Sequence, residues 1–169
     1  MRTAQHSNIW NSESGFTLIE LLTYISLASV LFIGVYYVFV KSTDIYVNVL
    51  RSSMVIQNAH TASEMIEREA KNVSGKTGIS IANSSEFKFT NTSNVVIDLV
   101  YSSQQIKKNT VVFAGNVTSF AFTYYKWDGT TWTSALPTSQ IAKIRYVFTL
   151  SYQGYSFSED RYILLRNMR

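Results

Sequence analysis

Ser14-Gly15-Phe16-Thr17-Leu18-Ile19-Glu20 opens onto twenty residues, Leu21 to Val40, that hold no charge and no proline. A helix of that length rises about 30 Å, one hydrocarbon core. Thr23, Ser26 and Ser29 are among its few polar side chains. A secretory signal that is cut off has a shorter apolar region with the cleavage site beyond it. This run is too long for that, so the span is expected to stay in the mature chain. One carboxylate, Glu20, stands at its mouth. A carboxylate deep in hydrocarbon costs about 2.5–3.5 kcal/mol on insertion scales, and less near an interface. Three uses are open to it: an interfacial group reaching for headgroups, a proton relay, or an anion paired with a cation on another copy or a related subunit. A lone span argues against the relay.

The apolar character then changes period. No proline or glycine occurs between Val35 and Ser74. Ile45, Val49, Ile56, Ala59, Ile66, Ala70 and Val73 recur in steps of three, four and seven, a helical stripe. Glu64 and Arg68 stand four apart in the orientation that supports an exposed helix, and Gly75 offers a left-handed stop. The pattern predicts one helix from Phe16 to about Asn72, roughly 85 Å long. Its first half suits lipid or a filament core and its second half a globular head.

From residue 75 onward Ser, Thr, Asn, Val, Phe and Tyr dominate, with few charges, as strands and turns require. Strands are predicted at Glu86–Thr90, Val95–Tyr101, Thr110–Ala114, Val117–Lys126, Ile141–Tyr152 and about Ser158–Arg166. Asp128-Gly129 reads as a turn between two aromatic strand ends. The expected fold class is α+β: a long N-terminal helix packed on an antiparallel sheet of five to seven strands. With no cysteine, the head is stapled by no disulfide.

The opening heptapeptide with its apolar run closely resembles the processing and methylation signal of type IV prepilins, a family that includes the type II secretion pseudopilins. The resemblance implies that a prepilin peptidase cuts between Gly15 and Phe16 and methylates the new Phe16 amine. It implies that Glu20 faces the terminal amine of a neighbouring subunit, with an assembly platform membrane protein and other major and minor pilins or pseudopilins as partners. The implied organisation is a cytoplasmic leader, 1–15, a membrane half of the helix, 16–40, an amphipathic half, 41–74, and an extracytoplasmic head, 75–169. Arg2 and Glu13 before the span and Lys41 after it give little charge bias, so orientation in the bacterial cytoplasmic membrane follows from the resemblance alone. Many major pilins carry a proline in the membrane part; Gly34-Val35-Tyr36-Tyr37 has none, which favours a minor subunit, and Gly34 permits local loosening. An aromatic strand, Trp127-Asp128-Gly129-Thr130-Thr131-Trp132, Leu136-Pro137 and a long alternating strand, with Leu165-Arg166-Asn167-Met168 at the end, resemble the heads of J-type minor pseudopilins and W-type minor pilins. Paired tryptophans near a turn ordinarily pack a core or lid; binding a glycan or partner is the other reading.

Enzyme chemistry finds no foothold. Gly75-Lys76-Thr77 mimics the end of a phosphate-binding loop, but Ala70 stands where its first glycine belongs and a helix precedes it. His6 and His60 lack ligand spacing. Asp128, Glu159 and Asp160 have no calcium-loop spacing, so neither metal nor cofactor is expected. Asn72, Asn83, Asn91 and Asn116 begin glycosylation-type triplets of the kind a Ser/Thr-rich chain produces by chance. The formal charge of +4 invites DNA binding through Lys107, Lys108, Arg145, Arg161, Arg166 and Arg169. Their scatter fits a solvated face or partner-facing rim as well. A DNA receptor or adhesin at a pilus tip is the alternative to an assembly subunit.

Overall fold

The computed structural model describes residues 16–75, 77–133 and 136–165. The leader including Gly15, Lys76, and the terminal Arg166-Asn167-Met168-Arg169 lie outside them. The chain divides between Tyr46 and Val47 into two compact units.

Helix α1 runs from Leu18 to Lys71. In the first unit its large apolar side chains are exposed on every side, from Leu18 to Val40, the signature of a helix that meets lipid or other helices. By length and composition it can cross a membrane. Its hydroxyls are satisfied within the helix. Thr23, Ser26 and Ser29 donate to the carbonyls of Ile19, Leu22 and Ile25 at 2.7, 2.8 and 2.7 Å, which removes free donors from an apolar surrounding. The helix passes through Gly34 without interruption.

In the second unit α1 buries Val55, Ala59, Ala62, Ser63, Ile66, Glu69 and Ala70. This corrects the predicted stripe: Ile45, Val49 and Ile56 are exposed. Val55, not Ile56, stands four residues before Ala59 on the packed face. Small side chains at 59, 62, 63 and 70 let the sheets come close. The helix stops before Gly75. Asn72 and Val73 turn their N–H groups to Glu69 and Ala70 carbonyls at 3.0 and 3.5 Å, closing the last turn by three-residue bonds. Val73 then bridges Asn91.

Among the described residues the head holds eight strands in two sheets, not one sheet of five to seven. β1 Ile79–Ala82, β2 Glu86–Thr90, β3 Val96–Ser102, β4 Gln105–Lys108 and β5 Val111–Ala114 form a five-stranded antiparallel meander. β6 Val117–Tyr125, β7 Lys143–Tyr152 and β8 Tyr155–Leu164 form the second sheet, in that order. Phe87, Phe89, Ile97, Leu99 and Ile106 from the first sheet join Phe122, Tyr124, Ile144, Tyr146, Phe148, Leu150 and Ile163 from the second in one core with α1. Each such side chain contributes about 1.5–3 kcal/mol by leaving water. The Asp128-Gly129 turn forms, with Gly129 at φ +82° and its N–H on the Lys126 carbonyl at 3.1 Å. It joins no hairpin of two full strands. The chain beyond it makes a single bridge, Thr131 to Tyr125, and reaches β7 through a short 3₁₀ turn at Thr138–Gln140.

Candidate functional site

Phe16 and Thr17 precede the helix, and Thr17 is its N-cap. The Thr17 N–H and hydroxyl donate to Glu20 Oε2 at 3.0 and 2.9 Å. The Glu20 N–H returns a bond to Thr17 Oγ1 at 3.3 Å. This reciprocal capping box satisfies two otherwise orphaned helix donors and sets the carboxylate against the positive end of the helix dipole. The Phe16 ring packs on Tyr24, centroids 5.4 Å apart. Glu20 is therefore oriented in the first turn, with one carboxylate oxygen engaged and Oε1 holding no hydrogen bond among the described residues. Thr17 was not singled out by the sequence reading. The Thr-x-x-Glu spacing at 17–20 carries that signal before an apolar run.

The head's polar groups are occupied by structural work. Ser63 and Tyr146 share a 2.6 Å hydrogen bond in the core, and the Tyr146 hydroxyl also donates to the Ser63 carbonyl at 3.3 Å. Burial pushes that hydroxyl up to about 12. Tyr124 donates to the carbonyls of Asn83 and Glu86 at 3.0 and 3.2 Å, and burial, with the Glu86 charge, pushes it up too. Trp132 is buried and donates through Nε1 to the Pro137 carbonyl at 3.1 Å, so it packs the core as the simpler reading holds. Trp127 is half exposed.

Three of the six cations considered for nucleic acid, Lys108, Arg145 and Arg161, are matched by carboxylates. Lys108 Nζ donates to buried Glu69 at 2.9 Å. Arg145 grips Asp160 through Nε and Nη2 at 2.8 and 2.6 Å, a fork that holds the Asp160 carboxyl below the usual range. Arg161 Nε donates to Glu159 at 3.1 Å. His60 Nδ1 lies 2.6 Å from Glu159 Oε1, off the hydrogen-bond axis, so that oxygen has no donor among the described residues. Asp128 is tied to the Thr130 hydroxyl and N–H at 2.6 and 2.9 Å, and these bonds lower its carboxyl. Asp128, Glu159 and Asp160 are thus separately engaged, and among the described residues no cluster of His, Asp and Glu is arranged for a metal.

A helix opened by this capped turn, apolar on all sides and running on to an α+β head, is consistent with the type IV pilin-like family. Residues 10–36 match the family model of the prokaryotic N-terminal methylation motif. No curated protein is matched by the chain.

Proposed function

We propose that the chain is a minor pilin or pseudopilin, a structural subunit that helps to start or cap a filament of the type IV pilus or type II secretion kind. The observation that carries this is the Thr17–Glu20 box: it presents one oriented carboxylate at the entrance of an apolar helix that matches the methylation motif. A prepilin peptidase cuts between Gly15 and Phe16, removing 1–15, and methylates Phe16. Residues 16–40 hold the subunit in the bacterial cytoplasmic membrane, with the head outside. Glu20 then pairs with the Phe16 amine of a neighbour delivered by the assembly platform. Two desolvated charges offset each other only when both are present, and a vacant neighbour leaves one uncompensated, so pairing selects register. The lack of a proline within 21–40 favours a minor subunit over the shaft. The methylation motif supports a structural subunit rather than an enzyme, and a DNA receptor is disfavoured by carboxylates already seated on Lys108, Arg145 and Arg161. Glu20→Ala tests the assignment: the variant is expected in the membrane at wild-type level yet absent from the filament fraction. Its normal co-assembly refutes the pairing.

A further inference from the structure

β8 is a sheet edge built for an incoming strand. The β7–β8 turn is two residues, Gln153 and Gly154, both at positive φ (50° and 87°), and the register runs from Tyr152↔Tyr155 to Lys143↔Leu164 with no shift. Two bonds fix which way the backbone points. The Ser151 N–H goes to the Asn116 carbonyl, away from β8, and the Leu165 N–H goes to the Ala142 carbonyl beside β7, both at 2.9 Å. Antiparallel alternation therefore turns the N–H and C=O groups of Ser156, Ser158, Asp160, Tyr162 and Leu164 outward. Among the described residues none of these has a backbone hydrogen-bond partner.

The other edges differ. β6 is covered: the Phe122 N–H reaches the Ser84 carbonyl and the Tyr124 carbonyl accepts from the Trp132 N–H, both at 2.8 Å. β1 and β5 are four residues each, and both pair through an irregular register. β8 runs ten residues without the proline, bulge or shortness that blunt many edges. Its three charges are held by the chain itself: Asp160 by Arg145, and Glu159 by its neighbour Arg161. Beside the edge Tyr162 and Leu164 are 54% and 50% exposed.

A second copy fits poorly. Only registers that set outward residues opposite one another can bond. The two two-fold pairings with the longest overlap centre on Glu159 or Asp160, and each opposes a carboxylate to its own twin, which destabilises the pair. We infer that β8 pairs with an extended strand of a different subunit in the same assembly, one carrying apolar or aromatic residues opposite Tyr162 and Leu164 and small residues opposite Ser156 and Ser158. Main-chain bonds supply affinity and the alternate side chains selectivity. This inference rests on the assembly role proposed above.

The chain has no cysteine, so a single introduced cysteine, alkylated with a maleimide–benzophenone and photo-cross-linked through C–H insertion in the full-length protein in native membranes, reads the edge cleanly. Tyr162→Cys and Ser158→Cys are expected to cross-link to a strand of another methylation-motif chain, identified by peptide mass. Thr149→Cys, on the central strand, is not. Adding Ser158→Pro removes one outward N–H and leaves the β7 ladder intact. It is expected to lower the Tyr162→Cys product about tenfold, the scale of one or two lost hydrogen bonds, with the unfolding midpoint kept. Ser156→Lys with Ser158→Lys does the same without touching the backbone. The inference is overturned if no cross-link forms, if the product is a homodimer, if Thr149→Cys reacts equally, or if a folded blocking variant leaves the yield unchanged. Glu20→Ala separates the two ideas. Its normal co-assembly sinks the Glu20–amine pairing and leaves the strand inference standing, whereas a wild-type chain absent from every filament fraction sinks the assembly role itself. Exclusion of the variant, with wild-type cross-linking in the blocked edge, sinks only the strand pairing.

Discussion

Replacing Tyr146 by Phe deletes one oxygen from a site where α1 meets the second sheet. Tyr146 is fully buried, and its ring stacks on Phe148 at 6.1 Å, so the ring itself is expected to stay. What is lost is the 2.6 Å bond with Ser63 Oγ and the 3.3 Å bond to the Ser63 carbonyl. The carbonyl keeps its helical partner, and the Ser63 hydroxyl can turn to the carbonyl four residues back, as Thr61 does at 2.9 Å. The cost is therefore one net hydrogen bond, about 1 kcal/mol, and for a domain of this size a midpoint lowered by about 3–6 °C. Ser63→Ala costs less, because the Tyr146 hydroxyl retains the Ser63 carbonyl. In a double-mutant cycle the two substitutions are expected to couple by about 0.5–1 kcal/mol. Thermal unfolding of the full chain in detergent, followed by near-UV circular dichroism, measures both. Additive effects, or a Tyr146→Phe chain as stable as wild type, refute the idea that this bond ties helix to sheet.

Phe148→Ala empties the middle of the shared core and is expected to cost about 3–5 kcal/mol, read as a large drop in the denaturant midpoint. Asp160 is held below its ordinary carboxyl value by Arg145. Its contribution is therefore full above the unfolded carboxyl value of about 3.9 and fades as pH falls through the depressed folded value. Asp160→Asn should flatten the acid side of the stability–pH curve and leave the neutral-to-alkaline side parallel to wild type. Thr17→Ala removes the N-cap hydroxyl and should weaken the first helical turn by about 0.5–2 kcal/mol. Amide exchange should quicken at Leu18–Leu21 and hold elsewhere on α1, while Thr17→Ser restores it.

Period made the helix and the long strands readable. Leu21–Val40 is uncharged throughout and mostly apolar, and Ile144, Tyr146, Phe148 and Leu150 alternate so strictly that β7 shows all four buried. β4 was hidden because Gln105–Lys108 has one apolar residue, Ile106, and its turn is Ser103-Gln104, forced to positive φ without glycine or asparagine. Ile79–Ala82 is too short to display alternation. The division into two sheets is invisible to strand-by-strand reading, since it depends on which edges bond. The stripe on α1 slipped because Val55 and Ile56 are neighbours of equal hydrophobicity, and only packing chooses between them. At the candidate site, Glu20 stood out by its cost in hydrocarbon, whereas Thr17 matters through a hydrogen bond that composition does not reveal. His60 likewise meets Glu159 only because β8 folds back beside α1.

In the proposed reading, charge pairing and assembly both follow from cleavage and methylation at Phe16. Intact-mass and peptide-mass measurement of the chain from its native membrane tests it most directly. Processing predicts a polypeptide that starts at Phe16 and carries one added methyl group on its amine. A chain that still starts at Met1, or one cut elsewhere than between Gly15 and Phe16, contradicts the account.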